Sequence, residues 1–236
     1  MNYFFCVWNT KALYNFHFLA KLSDRSFFQI MNKYIVEFIG TFFLVLTIGC
    51  TVLGSGGIPP LAIGSALMVM IFSGGHISGG HFNPAVTLGV WLRGRCHSKD
   101  VLPYMFSQFL GALAAAQLVR LFRKPPSTPL SIDLLPAFAA EFLFSFALVF
   151  VVLNVATAKG TAGNSFYGLA IGMTVMVGAF AVGDISGGVF NPAVALSICS
   201  LGLVAIKNLW LYLIADFLGG FVAAQTFKIV SKEDAA

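Results

Sequence analysis

The chain has 236 residues, of which 58% are hydrophobic and only 10% are charged. Soluble domains carry roughly 45–50% apolar and about 25% charged residues, so this composition excludes a soluble enzyme and predicts a membrane protein. The net charge of +5 is sparse and scattered, and we expect no nucleic-acid partner. The four cysteines share no short spacing, which indicates neither a disulfide framework nor a metal site, and we expect no cofactor.

Six apolar spans are long enough, or nearly so, to cross a hydrocarbon core about 30 Å thick. They lie at residues 34–53, 59–74, 103–122, 134–156, 166–182 and 209–230. Shorter helical segments at residues 84–92 and 192–201 follow the second and fifth spans. At about 1.5 Å per residue these segments reach only halfway across. The sequence therefore predicts an all-α membrane protein with six transmembrane helices and two re-entrant half-helices that meet at their N-termini.

The two half-helices begin in two copies of one motif. Residues 75–88 read GHISGGHFNPAVTL and residues 183–196 read GDISGGVFNPAVAL, identical at 11 of 14 positions across an offset of 108. Asn is a strong N-cap and Pro is favoured at the first helical position, so Asn83 and Asn191 each start a helix abruptly. Three spans and a half-helix make an odd number of crossings. We therefore expect two inverted repeats, at about residues 33–123 and 134–230.

The charges predict an orientation. With both termini and the loop of residues 93–99 in the cytoplasm, the outer side receives only Arg120, Arg123, Lys124 and Lys207 of the 14 Lys and Arg. We expect a multi-pass protein of a bacterial inner (plasma) membrane. Residues 1–32 are expected to be an extension outside the channel domain of residues 33–230, either dispensable or an interfacial helix. Residues 231–236 are expected to be a cytoplasmic tail.

The paired SGGxFNPAV motifs and the first span, VEFIGTFFLVL, resemble the aquaporin (major intrinsic protein) family in its prokaryotic form. The resemblance covers essentially all of residues 33–230. It implies six tilted helices and two half-helices around one pore per subunit, usually in a homotetramer. It also implies that Asn83 and Asn191 direct their amides into the pore midpoint. The residues that would stack the two half-helices on each other are Pro84, Ala85, Pro192 and Ala193.

The family's selectivity filter is altered in this chain. Many members carry an Arg at the end of the second motif, where this chain has Val194. The resemblance places the other filter positions at Ile63, Ala179 and Gly188. Such a filter would be wide, apolar and without fixed charge. The Asp that marks glycerol facilitators is also missing, because Ala195 follows Val194.

Other polar residues lie in or near the spans. Glu37 and Glu141 are intramembrane acids, and the resemblance implies that they accept N–H bonds from the re-entrant loops. His76 is expected to brace its loop rather than to sense pH, and His81 to be a pore or loop contact rather than a metal ligand. Two interpretations of Asp216 stay open, a contact with lipid or a neighbouring subunit and a partial role in the pore.

A capping Asn leaves its NH₂ donors for a passing oxygen. A water that accepts from both Asn residues must turn its own hydrogens away, which interrupts a proton wire, and the positive helix ends repel cations. We therefore expect a passive channel, not an enzyme, for water or small uncharged solutes such as glycerol, urea, ammonia or hydrogen peroxide, with protons and ions excluded. A secondary transporter, which can also be built from inverted repeats, and a non-conducting structural protein are the alternatives.

Overall fold

A computed structural model describes the backbone of residues 10–232 and the side chains of residues 31–232. Within those residues the chain forms eight α-helices, joined by loops and two short 3₁₀ turns. The helices are α1 (Thr10–Val52), α2 (Pro59–Ser78), α3 (Pro84–Leu92), α4 (Ser98–Phe122), α5 (Leu134–Thr157), α6 (Tyr167–Ser186), α7 (Pro192–Ser200) and α8 (Leu209–Val230). The predicted all-α class is confirmed.

Six of these helices are long and apolar enough to span a membrane, and the spanning part of α1 is Met31–Val52. The short helices α3 and α7 have nine residues each. The predicted arrangement of six spans and two half-helices is therefore confirmed. Of the predicted extension, residues 1–9 lie outside the described part of the chain, as do residues 233–236 of the predicted tail. The domain division at residue 32 stays a prediction.

Two helices run four residues further than their apolar content predicts. α2 reaches Ser78 and α6 reaches Ser186, where Gly79 (φ 90°) and Gly187 (φ 97°) end them in the left-handed conformation. Each of these glycines donates its N–H back to a helix carbonyl, which caps the helix. The geometry of the cap, rather than the end of the apolar run, thus sets where each loop begins.

The two repeats exchange their half-helices. Within the first repeat α1 packs on α2 and α4, and within the second α5 packs on α6 and α8. The half-helix α3, however, packs on α8 of the second repeat, and α7 packs on α4 of the first. This crossed packing brings the two half-helix N-termini together in the interior.

The two repeats contact each other closely at two glycines, one in α2 and one in α6. A Cβ built on Gly64 would lie 2.6 Å from the carbonyl oxygen of Gly172, and one built on Gly172 would lie 2.4 Å from that of Gly64. The contact is reciprocal, as at a two-fold axis, and small residues permit this close crossing.

Candidate permeation site

The half-helices begin at Asn83 and Asn191, which cap them as the sequence predicts. The side-chain oxygen of Asn83 accepts from the N–H groups of Ala85 (2.8 Å) and Val86 (3.4 Å), and that of Asn191 accepts from those of Ala193 (2.9 Å) and Val194 (3.4 Å). Each amide nitrogen also bonds to the opposite loop. Asn83 Nδ2 donates to the Phe190 carbonyl at 2.8 Å, and Asn191 Nδ2 donates to the Phe82 carbonyl at 2.9 Å.

These crossed bonds correct one prediction. We expected both N–H donors of each amide to be left over. Instead, each NH₂ group uses one N–H to hold the other loop, because the crossed packing places a backbone carbonyl opposite it. An amide NH₂ has two donors, so the second N–H of Asn83 and of Asn191 is not used by these crossed bonds.

The residue before each Asn has a strained backbone. Phe82 (φ 49°) and Phe190 (φ 52°) are left-handed, which is uncommon for a bulky residue. Both rings are buried, that of Phe82 against Gly40 and that of Phe190 against Gly178. The two loops therefore depend on contacts from other helices to keep this conformation.

In each repeat a fully buried glutamate supplies part of those contacts. Glu37 accepts from Ser78 Oγ at 2.7 Å and from the backbone N–H groups of His81 at 2.9 Å and Phe82 at 2.6 Å. Glu141 accepts from Ser186 Oγ at 2.6 Å and from the N–H groups of Val189 at 3.0 Å and Phe190 at 2.7 Å. Buried N–H groups that lie outside a helix require such partners. These are contacts of the kind that the family resemblance implies.

A pair of tyrosines, which the sequence analysis missed, holds the same loops from the other side. The Tyr104 hydroxyl donates to the Ser78 carbonyl at 2.7 Å, and the Tyr212 hydroxyl donates to the Ser186 carbonyl at 2.6 Å. Both tyrosines are buried. The signal was present, since each tyrosine and each serine recurs at the offset of 108 residues.

The four residues of the predicted filter line one narrow cavity. Ile63, Ala179, Gly188 and Val194 all face it, and its volume is about 60 Å³. At about 15 Å³ for each water-sized position, this corresponds to roughly four such positions. Among the described residues that line it, the polar side chains are His81, Asn83 and Asn191, and none is charged.

The narrow cavity adjoins a wide vestibule of about 750 Å³, and His81 and Val152 line both. The wall of the vestibule includes Lys33, Arg95 and His97 together with Asp100. That this face lies in the cytoplasm stays a prediction. His81 Nδ1 lies 3.1 Å from Thr87 Oγ1, so this histidine contacts both its own loop and the cavity.

Two other vestibule residues bear on the predictions. His76 is exposed, and no hydrogen bond joins it to another described residue, so its bracing role stays a prediction. Its counterpart Asp184 is also exposed. Burial, followed by the Asp100 carboxylate, raises the pKa of the Cys96 thiol above its ordinary value. The thiol form is therefore favoured, and Cys96 lacks the features of a reactive cysteine.

Asp216 faces neither lipid nor a neighbouring subunit. It is fully buried within a single chain, where Ser145 Oγ donates to its Oδ1 at 2.8 Å. It is not among the residues that line the narrow cavity. The interpretation as a lipid or subunit contact was wrong, because the α5–α8 packing encloses this side chain beside Glu141. A partial role in the pore stays a prediction.

Comparison with known proteins agrees with this geometry. The Major intrinsic protein family model matches residues 21–181 and 130–236. Aquaporin NIP1-1 of Arabidopsis thaliana is 37% identical over 226 residues, which cover 86% of this chain and 75% of that protein. Glycerol uptake facilitator protein-like 6 of Lactiplantibacillus plantarum is 34% identical over 219 residues, which cover 86% of this chain and 100% of that protein.

A solved structure shows the same fold. The aquaglyceroporin from Plasmodium falciparum superimposes with a TM-score of 0.74 at 24% sequence identity, over 87% of this chain and 98% of that one. The duplicated loops, the half-helices and the relatives lead to one conclusion. The chain belongs to the major intrinsic protein family and is a multi-pass membrane channel for the passive passage of water and small solutes, not an enzyme.

Proposed function

We propose that the narrow cavity is the permeation path and that Asn83 and Asn191 form its shared donor site. The observation that carries this proposal is the one remaining N–H on each amide, at the N-termini of two half-helices, in a cavity without a charged side chain. A passing oxygen accepts from both amides and turns its own hydrogens away. Protons are then excluded because the hydrogen-bonded chain is interrupted, and cations because both helix ends are positive.

We further propose that Ile63, Ala179, Gly188 and Val194 form the selectivity filter. An Arg at position 194 would donate hydrogen bonds and narrow the hole, whereas Val194 does neither. The small volume of the cavity, about 60 Å³, supports passage of solutes one at a time. Because no Arg narrows the filter at position 194, we expect uncharged solutes larger than water, such as glycerol or urea, to pass together with water. The similarity to a protein named as a glycerol uptake facilitator supports glycerol as one of them.

The finer cellular setting also belongs to this proposal. We expect a homotetramer with both termini in the cytoplasm, so that the basic side of the vestibule faces inward. A bacterial plasma membrane stays a prediction, since the relatives include a plant protein and a bacterial one.

Stopped-flow light scattering on reconstituted vesicles, with gradients of water, glycerol and urea, tests the filter. Wild-type vesicles should pass all three. Val194→Arg should lower glycerol and urea passage several-fold and keep a measurable water flux. Val194→Met is the matched control, because it adds length at the same position without adding donors or charge.

Two results would contradict the proposal. Wild-type vesicles that pass water but reject both glycerol and urea would show that the filter does not admit solutes larger than water. Solute uptake that requires an ion gradient would instead indicate a secondary transporter.

A further inference from the structure

In the second repeat two carboxyl groups lie together in the protein interior. Glu141 and Asp216 are both fully buried, and their carboxyl groups lie within hydrogen-bonding reach of each other. Asp216 Oδ1 accepts from Ser145 Oγ, but Asp216 Oδ2 is buried and receives no hydrogen bond from the described residues. A buried acceptor without a donor is costly.

The first repeat has a different residue at the position that corresponds to Asp216. Gln108 stands at the offset of 108 residues from Asp216, and its Nε2 donates to Glu37 Oε2 at 2.8 Å. The first repeat therefore pairs its glutamate with a neutral donor. The second repeat places an acid at the equivalent position.

Among the described residues, no Lys, Arg or His is one of the groups that act on the two acids. One other titratable group, the Tyr212 hydroxyl of α8, lies near both acids. The Cys199 thiol of α7 lies near Tyr212 in turn. Both groups are ordinarily neutral at pH 7. The remaining neighbours are hydroxyl and backbone donors from α5 and the second loop.

Two carboxylates buried against each other cannot both ionise, because desolvation and mutual repulsion disfavour the second charge. Hydrogen bonds show which group keeps the charge. Glu141 accepts from one hydroxyl and two backbone N–H groups, whereas Asp216 accepts from one hydroxyl and has one backbone N–H nearby, that of Asn191. The carboxyl with more donors is the better anion.

We propose that Asp216 is protonated and donates its carboxylic acid O–H to Glu141, as Gln108 donates its amide to Glu37. Asp216 is then a positioning residue. It acts through Glu141 on the N–H groups of Val189 and Phe190, and so on the loop that precedes Asn191. Each buried glutamate then accepts from one neutral donor on the neighbouring helix, so the two repeats hold their loops in the same way.

Infrared spectroscopy of the reconstituted full-length protein tests this assignment. A buried, protonated carboxylic acid has a C=O stretching band above the amide I region. Wild-type protein should show such a band at neutral pH, and Asp216→Asn should lose it. The same variant should keep the wild-type melting temperature, because Asn supplies a neutral donor. Asp216→Leu, which supplies none, should melt at a lower temperature.

A gain of signal in the first repeat provides the matched control. Gln108→Glu creates a second buried pair of acids and should add a second band. The absence of a band from the wild type, its survival in Asp216→Asn, or a folded Gln108→Glu protein without an added band would overturn the proposal. If Asp216→Leu fails to fold, the Asp216→Asn spectrum still decides. The spectrum is independent of which solute passes, so its failure is distinguishable from failure of the proposed filter.

Discussion

His81 in the first loop corresponds to Val189 in the second, and Thr87 in the first half-helix corresponds to Ala195 in the second. His81 and Val189 line the narrow cavity, and Thr87 contacts His81. By contrast, most of the residues that hold the loops are the same in both repeats: a glutamate, a serine, a tyrosine, a left-handed phenylalanine and the capping Asn, with Gln108 and Asp216 as the exception.

The shared residues hold the loop backbone, whereas the residues that differ face the cavity or contact a side chain that does. The residues that fix the backbone are the same because both loops bury N–H groups that lie outside a helix and need the same acceptors. Residues that face the path meet different surroundings in the two loops. The first loop lines both the vestibule of about 750 Å³ and the narrow cavity of about 60 Å³, whereas the second loop lines the narrow cavity. We therefore expect equal effects from matched changes in the shared framework and unequal effects from changes at the pore surface.

The largest effect should come from the two buried glutamates. Glu37→Ala and Glu141→Ala each leave two buried backbone N–H groups without an acceptor. Each such group costs about 1–3 kcal/mol, so both variants should be severely and similarly destabilised. The melting temperature and monodispersity of the protein purified in detergent measure this.

Thr41→Ala is the control for that comparison. Thr41 is buried one turn beyond Glu37, and among the described residues its hydroxyl bonds to the Glu37 carbonyl of the same helix alone. It should remain close to wild type. A clearly unequal loss between the two glutamate variants would show that the repeats do not share one framework.

A smaller but still symmetric effect should follow at the crossing of α2 and α6. Gly64→Ala and Gly172→Ala each place a methyl group within 2.6 Å of the opposite carbonyl oxygen. Overpacking of this kind costs about 1–3 kcal/mol, and the two losses in thermal stability should match. Gly183→Ala is the control, because a Cβ there meets nothing within 4 Å. If Gly64→Ala were as stable as Gly183→Ala, the close crossing would be incorrect.

The smallest effect should come from His81, where the repeats differ. His81→Val copies the second loop into the first and leaves Thr87 bonded to Gln108 and to the Asn83 carbonyl. The fold should therefore survive. Loss of one neutral hydrogen bond to passing water, about 0.5–1.5 kcal/mol, should lower the water flux by no more than about tenfold. Unchanged flux in the stopped-flow assay would mean that His81 is only a loop contact.

Much of this architecture follows from local sequence. Apolar runs of sufficient length must become membrane helices, because hydrocarbon offers the backbone no other hydrogen-bond partners. Asn followed by Pro starts a helix through groups within three residues of each other, so the half-helices could be predicted from the motif alone. The tyrosine–serine pairs also recur at the repeat offset of 108 residues, so they too could have been predicted from the sequence.

Contacts between residues far apart in the chain could be seen only in the tertiary structure. The bonds from Asn83 to Phe190 and from Asn191 to Phe82 span 107 and 109 residues, and they exist only because the half-helices pack on opposite repeats. Asp216 is similar. Its place in an apolar span suggested lipid or pore, but α5 brings Ser145, 71 residues away, to its side. Local sequence sets which helices form, whereas the partner of a buried polar group depends on which helices meet.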